Sequence, residues 1–358
     1  MSDVRVGIIG AGMISRLHAL GYENHPEAEI YAVCDVREET ARRRQEEWGA
    51  HKAYTDYREL LADDAVDAVE IIVPHRLHRQ MTVDALGAGK HVSLQKPMAM
   101  NMAECRDIIA ASEQADALCR IYENFRFYPA HIRAKELIDA GEIGEPLSIR
   151  FKLTNGYTPD SVWTDPDPGP SWRGDWAASG GGAVTFDHGY HVYSMAEWLM
   201  GEVEEVFAWI DFTPDEAGHI LDSPAMISWK YADRSRYGVW EQVWGNDLLI
   251  KSSYYAGDDR MEITGEKGII WVNKCCADFL DVPPLVVYRD GKVTEHHDLD
   301  PDWGASFRLC TMNYIDSILG RAEPEIGVRE AARIMQFTIA VKESAQRHQP
   351  VRVDAIQD

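Results

Sequence analysis

Basic residues and cysteines are both scarce in this 358-residue chain, and nowhere does it run apolar for long. Only 36 Lys and Arg face 59 Asp and Glu, a formal net charge of -23. Long-range attraction to nucleic acid or to an anionic membrane is therefore disfavoured. No apolar stretch approaches the roughly 20 residues of a membrane-spanning helix. The six cysteines, Cys34, Cys105, Cys119, Cys275, Cys276 and Cys310, include no Cys-x-x-Cys pair, and adjacent Cys275 and Cys276 do not suit a bridge to each other. A reduced, cytoplasmic setting is the expectation. Met1-Ser2-Asp3 leads straight into the apolar run from Val4 to Ile9, without a basic region or a small-residue cleavage site. Metal is not expected either. Glu295-His296-His297-Asp298, with Cys275-Cys276 upstream, matches no structural zinc spacing and reads as a strand edge or solvated loop.

What is present is patterned as two domains, in keeping with about 150 residues per domain. Over residues 1–121, short β-branched runs at 4–9, 29–34, 67–73, 91–94 and 118–122 alternate with helical periodicity at 13–24, 38–48, 57–62, 76–88 and 102–114. That alternation predicts an α/β, doubly wound parallel sheet of the Rossmann type. Residues 122–358 change character. A helix at 129–140, a Pro/Gly/Trp-rich loop at 155–182 and a helix at 188–200 precede strand-like runs at 203–212, 224–231, 236–243, 247–253, 260–264, 268–272 and 284–288. With a further strand at 147–155 and a last helix at 329–346, they predict an α+β domain with a large, mostly antiparallel open sheet.

Gly10-Ala11-Gly12-Met13-Ile14-Ser15 joins the first predicted strand to the first helix. Two glycines there make a tight turn and let a pyrophosphate approach backbone N–H groups, and Ser15 is small enough to replace the third. Asp35 closes the second strand, where a carboxylate accepts from ribose hydroxyls and repels a 2′-phosphate. NAD is expected on that ground, with NADP left open by Arg37, which can stack on adenine, bind the phosphate or simply be solvated at a helix start. Lys96 ends the strand at 91–94, on the edge where open α/β sheets bind ligands, and Pro97 restricts its backbone. In Gly180-Gly181-Gly182-Ala183-Val184-Thr185-Phe186-Asp187-His188-Gly189-Tyr190-His191, a glycine turn enters a helix that would show Asp187 and His191 on one face. A carboxylate and an imidazole so placed can share a substrate hydroxyl; a helix cap and a core histidine are the plainer alternatives. Tyr157, Trp163, Trp172 and Trp176 flank that turn, offering flat faces to a sugar ring or packing in the core, and Arg173 adds donors.

Together these segments resemble the Gfo/Idh/MocA oxidoreductase family over essentially the whole chain. Gln95-Lys96-Pro97 is similar to the family's Glu-Lys-Pro, Asp187-His188-Gly189-Tyr190-His191 to its Asp-x-Gly-x-His, and Pro74-His75-Arg76-Leu77-His78 to its Pro-Asn-x-x-His. Asn124-Phe125-Arg126-Phe127, Gly141-Glu142-Ile143-Gly144 and Gly265-Glu266-Lys267-Gly268 are family-like too. The resemblance implies a nicotinamide held at the domain junction and a sheet that mediates homodimers or homotetramers. It implies Lys96, Asp187 and His191 as catalytic groups, and a cofactor site of Gly10, Gly12, Met13, Ile14, Asp35, Arg37, Pro74, His75, His78, Gln95 and Lys96. Asn124, Arg126, Trp163, Trp172, Arg173 and His188 would join the catalytic residues around the substrate. Gln95, His75 and Ser194 depart from the usual Glu, Asn and Asp.

The activity so implied is NAD(P)-dependent oxidation of a secondary hydroxyl of a sugar, glycoside or inositol-like cyclitol. His191 would accept the proton and Lys96 would steady the oxygen. Two other readings use the same residues: glycoside cleavage through transient oxidation by a tightly held NAD, and a non-catalytic dinucleotide-binding sensor.

Overall fold

The computed structural model describes residues 3–158, 172, 175–214, 220–233, 235–277 and 280–357, with only the backbone of residues 176 and 177. Six parallel strands come first: β1 (Val4–Ile9), β2 (Ala28–Cys34), β3 (Lys52–Tyr54), β4 (Ala68–Ile71), β5 (His91–Gln95) and β6 (Cys119–Tyr122), in the order β3-β2-β1-β4-β5-β6. β1 and β4 are almost wholly buried, the continuous apolar pattern of a sheet covered on both faces. The strand order reverses between β1 and β4, so a crevice opens above their carboxyl ends.

A second sheet of nine strands follows. Its members are β7 (Pro146–Tyr157), β8 (Val203–Ile210), β11 (Ala225–Tyr231), β12 (Tyr237–Leu249), β13 (Gly257–Gly265), β14 (Gly268–Val272), β15 (Leu285–Arg289), β16 (Lys292–His296) and β17 (Val351–Arg352). β9 (Thr213–Pro214) and β10 (Ile220–Leu221) pair only with each other. The large sheet runs β16-β15-β14-β13-β7-β12-β11-β8-β17, antiparallel except where β12 lies parallel to β7. The helix Val328–Arg347 covers one face, with Ser344 accepting the Ala208 N–H.

Several expectations need correction. The strands predicted at 236–243 and 247–253 are one strand, β12, because Gly245-Asn246-Asp247 makes an irregularity in the ladder and pairing resumes at Leu249 opposite Tyr157. The helix expected over 13–24 is only Ser15–Ala19. Just beyond it Gly21 lies against Thr311 so closely that a Cβ would meet that side chain at 2.3 Å. Thr311 belongs to a helix with no counterpart in the sequence reading, Trp303–Ile318. That segment is rich in weak helix formers, and tertiary packing holds it. Tyr314 and Ile315 complete the core of the first sheet, the Tyr314 hydroxyl donates to the Val69 carbonyl, and the Tyr122 hydroxyl donates to Phe307 O. No helix among the described residues is long and apolar enough to cross a membrane.

Candidate active site

The turn after β1 is shaped for close approach. Gly10 has φ +94, and a Cβ there would sit 2.1 Å from the Ile72 carbonyl at the switch point. Gly12 is the opposite case, since its Cβ direction meets nothing within 4 Å. Ser15 closes the turn by donating to Gly12 O at 2.5 Å. Asp35 Oδ2 accepts the Ala11 N–H at 3.0 Å and Oδ1 accepts the Arg37 N–H at 2.9 Å. The Asp35 carboxylate therefore borders the glycine turn, where an adenosine ribose would lie, and the open side of Gly12 leaves space for a pyrophosphate. Met13 and Ile14 are partly buried against the core. These features fit a dinucleotide.

On the other side of the crevice, Pro74 precedes the short turn His75–Leu77. His75 Nδ1–H donates to Ser179 O at 2.9 Å, its ring meets Trp172 edge-on at 4.7 Å, and its Nε2 lies 3.6 Å from Asp187 Oδ1. His78 is buried between the Val73 and Pro97 carbonyls, 2.8 Å from each, and spans the ends of β4 and β5 instead of facing the groove.

Lys96 follows β5 and enters a cis peptide with Pro97. Its ammonium donates to Asp187 Oδ1 at 2.8 Å and to Asp187 O at 3.0 Å. Asp187 lies in a single wide π-helical turn, Ala183–His188, inserted before the helix Gly189–Met200 that carries His191. Such wide turns recur at functional sites. This one is anchored by Asp222, whose buried carboxylate accepts from Val184 N, Thr185 N and Thr185 Oγ1, while Lys342 donates to Gly180 O.

The partner of His191 is Glu123, directly after β6. His191 Nδ1 lies 2.6 Å from Glu123 Oε1, which also accepts the Phe125 N–H. Both side chains are under 8% exposed, and Phe125 stacks on the imidazole at 4.0 Å. A carboxylate accepts only, so the Nδ1 proton is fixed and Nε2 is left with its lone pair. Burial pushes His191 down to about 4 against the opposing pull of Glu123, and the nearby Lys96 charge pushes the same way as burial. His191 is thus a neutral base at physiological pH.

Sequence reasoning missed Glu123, although an acidic residue at the carboxyl end of a parallel strand was the available signal. Asp222 gave none, because its partners lie 37 and 38 residues away. Of the other expected residues, His188 joins the group, a quarter exposed and 3.1 Å from Asp259. Asn124 and Arg126 are buried and bonded to other elements. Asn124 donates to Ser306 Oγ, and buried Arg126 is held by Ser194, Glu330 and Glu325. Trp163 and Arg173 lie outside the described residues, as does the Trp176 side chain. His296 ends the edge strand β16 and His297 pairs with Glu295; among the described residues no three His, Cys, Asp or Glu are grouped to hold a metal.

Comparison with known proteins matches residues 4–123 to the Gfo/Idh/MocA oxidoreductase family with its NAD-binding Rossmann fold, and residues 131–271 to the C-terminal domain of the same family. The chain belongs to this family. It is 31% identical over 275 residues to myo-inositol 2-dehydrogenase of Thermotoga maritima, covering 75% of each chain. It is 33% identical over 313 residues to inositol 2-dehydrogenase of Salmonella typhimurium, covering 85% of this chain and 81% of that one. A levoglucosan dehydrogenase solved in complex with NADH and L-sorbose shares the fold, with a TM-score of 0.82 and 22% identity over 99% of both chains. As a Gfo/Idh/MocA member the protein is an NAD-binding oxidoreductase.

Proposed function

We propose that the protein oxidises a secondary hydroxyl of a cyclitol or sugar of the inositol class, with NAD as hydride acceptor and residues 1–121 and 122–358 dividing cofactor and substrate between them. The observation that carries this reading is the meeting of Lys96, Asp187 and the His191–Glu123 pair at the carboxyl ends of β5 and β6, one crevice away from the Gly10–Ser15 turn. The relatives named for inositol dehydrogenation support the substrate class.

When bound, NAD would supply the hydride acceptor. Gly10, Gly12 and Asp35 would hold its pyrophosphate and ribose, and Pro74 and His75 would wall the crevice beyond them. Lys96 has three N–H donors and gives two to Asp187. The third donates to the substrate oxygen and stabilises the negative charge that grows there as hydride leaves. His191 Nε2 takes the hydroxyl proton, and Glu123 stabilises the imidazolium that results. Asp187 fixes the direction of the ammonium and keeps the pair close to neutral.

Among the described residues, one face of the second sheet carries Trp209, Met226 and Tyr237, each more than a third exposed, with Met226 directly opposite Trp209. We assign that face to a second copy of the chain; light scattering that returns a monomer would remove the assignment. The activity is tested with purified protein, NAD or NADP, and a panel of inositols, free sugars and glycosides. Reduced nicotinamide with a product two hydrogens lighter is expected. Glycoside cleavage without reduced nicotinamide, or silence from every compound, would overturn the reading.

A further inference from the structure

Beneath Lys96, half-buried Gln95 leads into a line of buried polar side chains that the reaction does not use directly. Gln95 Oε1 accepts the Lys96 backbone N–H at 2.8 Å. Its Nε2 lies 2.9 Å from His18 Nε2, His18 Nδ1 lies 2.5 Å from Glu70 Oε2, and the Tyr22 hydroxyl donates to Glu70 Oε1 at 2.7 Å. His18 and Glu70 are at most 1% exposed. The chemistry of the donors fixes the direction of every bond. A backbone N–H only donates, so the oxygen of the Gln95 amide must face it and the NH2 must face His18. His18 Nε2 must then accept, which leaves its one ring proton on Nδ1, aimed at the Glu70 carboxylate.

We propose that Gln95 is a positioning residue that holds His18 in its neutral Nδ1–H form and so clamps the Lys96 backbone without a titrating group in the clamp. The proposal rests on the reading of Lys96 given above. A carboxylate at position 95, as in the family motif, would face His18 Nε2 with an acceptor. The ring would then have to carry two protons, bridging two anions. The charged and titratable groups around it are Glu70 on β4 with Tyr22 behind it, Arg120 and Tyr122 on β6, and Cys310 and Tyr314 on the helix Trp303–Ile318. Apart from Glu70 and Arg120 these are neutral at physiological pH. The introduced carboxylate would therefore decide the ring's charge. Once the pH is raised far enough to remove the second proton, acceptor faces acceptor, the carboxylate turns away and the Lys96 N–H is released.

The test compares the protein with Gln95→Glu by ring-15N NMR of labelled histidine and by the pH profile of turnover. The wild type should show His18 neutral and protonated on Nδ1. Gln95→Glu should show a doubly protonated ring at pH 7 that titrates upward of it. Its turnover should gain an alkaline limb falling about tenfold per pH unit, which the wild type lacks. The double variant Gln95→Glu with His18→Gln has no ring to titrate and should lose that limb again. A doubly protonated His18 in the wild type, an unchanged ring in Gln95→Glu, or identical pH profiles would overturn the proposal. Failure of the underlying reading shows separately, as Lys96→Ala turning over like the wild type, while the ring spectra do not depend on it.

Discussion

Replacing Glu123 by Gln removes one charge and almost no volume, and the consequence can be worked from the His191 geometry. The amide oxygen still accepts from His191 Nδ1 and Phe125 N, and the NH2 falls where Glu123 Oε2 has no hydrogen-bond partner among the described residues. What is lost is the anion that stabilises the imidazolium during proton transfer. A buried hydrogen bond to a charged group contributes roughly 1.5–3 kcal/mol and a neutral one about 0.5–1.5, a difference of about 1–1.5 kcal/mol. At about 1.4 kcal/mol per decade, kcat should fall about 5- to 12-fold. The pH profile should move as well. Burial sets His191 at about 4 in spite of Glu123, so without the carboxylate the imidazole holds its proton less well. The acid limb of kcat/KM, near pH 4 in the wild type, should shift lower while the plateau drops. Steady-state rates from pH 3.5 to 8, with circular dichroism to confirm folding, measure both. A plateau within twofold and an unmoved limb would refute the role given to Glu123.

Further outcomes follow from the same geometry. Lys96→Ala should lower turnover at least ~100-fold, within the range of a lost electrostatic donor, while NAD affinity by fluorescence titration changes little. Gly10→Ala should destabilise the fold, because its Cβ would meet the Ile72 carbonyl at 2.1 Å with φ at +94. Gly12→Ala should fold normally and bind NAD at least ~10-fold more weakly, since its Cβ enters only the open crevice; melting curves and titration separate the two glycines. Acid should destabilise the protein before any carboxylate titrates at its usual pH. Burial pushes His78 down to about 3 and His191 to about 4, so the unfolded chain binds more protons than the folded one below about pH 6.5, and stability present above that pH is lost as it falls. Each imidazole contributes a slope of about 1.4 kcal/mol per pH unit. His131, His91 and His25, also lowered by burial, add to them, while Asp258, pushed up to about 7 by burial, and Asp222, Glu197 and Glu325, raised by burial, titrate in the opposite sense and are outnumbered. The urea midpoint should be lower at pH 5.5 than at 7.5, and a rise would contradict the assignment.

The sequence carried the local features well. A strand, two glycines and a helix start are contiguous in residues 4–19, and Lys96 owes its place to the strand it ends, so both were readable from pattern. Partnerships were not. His191 and Glu123 are 68 residues apart, Lys96 and Asp187 are 91, and His18 and Gln95 are 77. Helical spacing put Asp187 and His191 on one face, yet the wide π turn and the β5–β6 edge give Asp187 to Lys96 and Glu123 to His191. Ser194 shows the same limit. The carboxylate that the family motif would place there is absent, and the charge of Arg126 is met by Glu330 and Glu325 from near the far end of the chain. The helix Trp303–Ile318 escaped detection because the surface it covers belongs to strands some 240 residues earlier.

The central claim is direct transfer of a carbinol hydrogen to the nicotinamide beside Lys96 and His191. A cyclitol or sugar that reduces NAD in the panel, prepared with deuterium on the oxidised carbon, tests it in a single turnover with enzyme in excess. The account predicts deuterium in the reduced nicotinamide ring, a slower transfer than with the unlabelled compound, and loss of that transfer in Lys96→Ala. Deuterium recovered in water, with none on the nicotinamide, would contradict it.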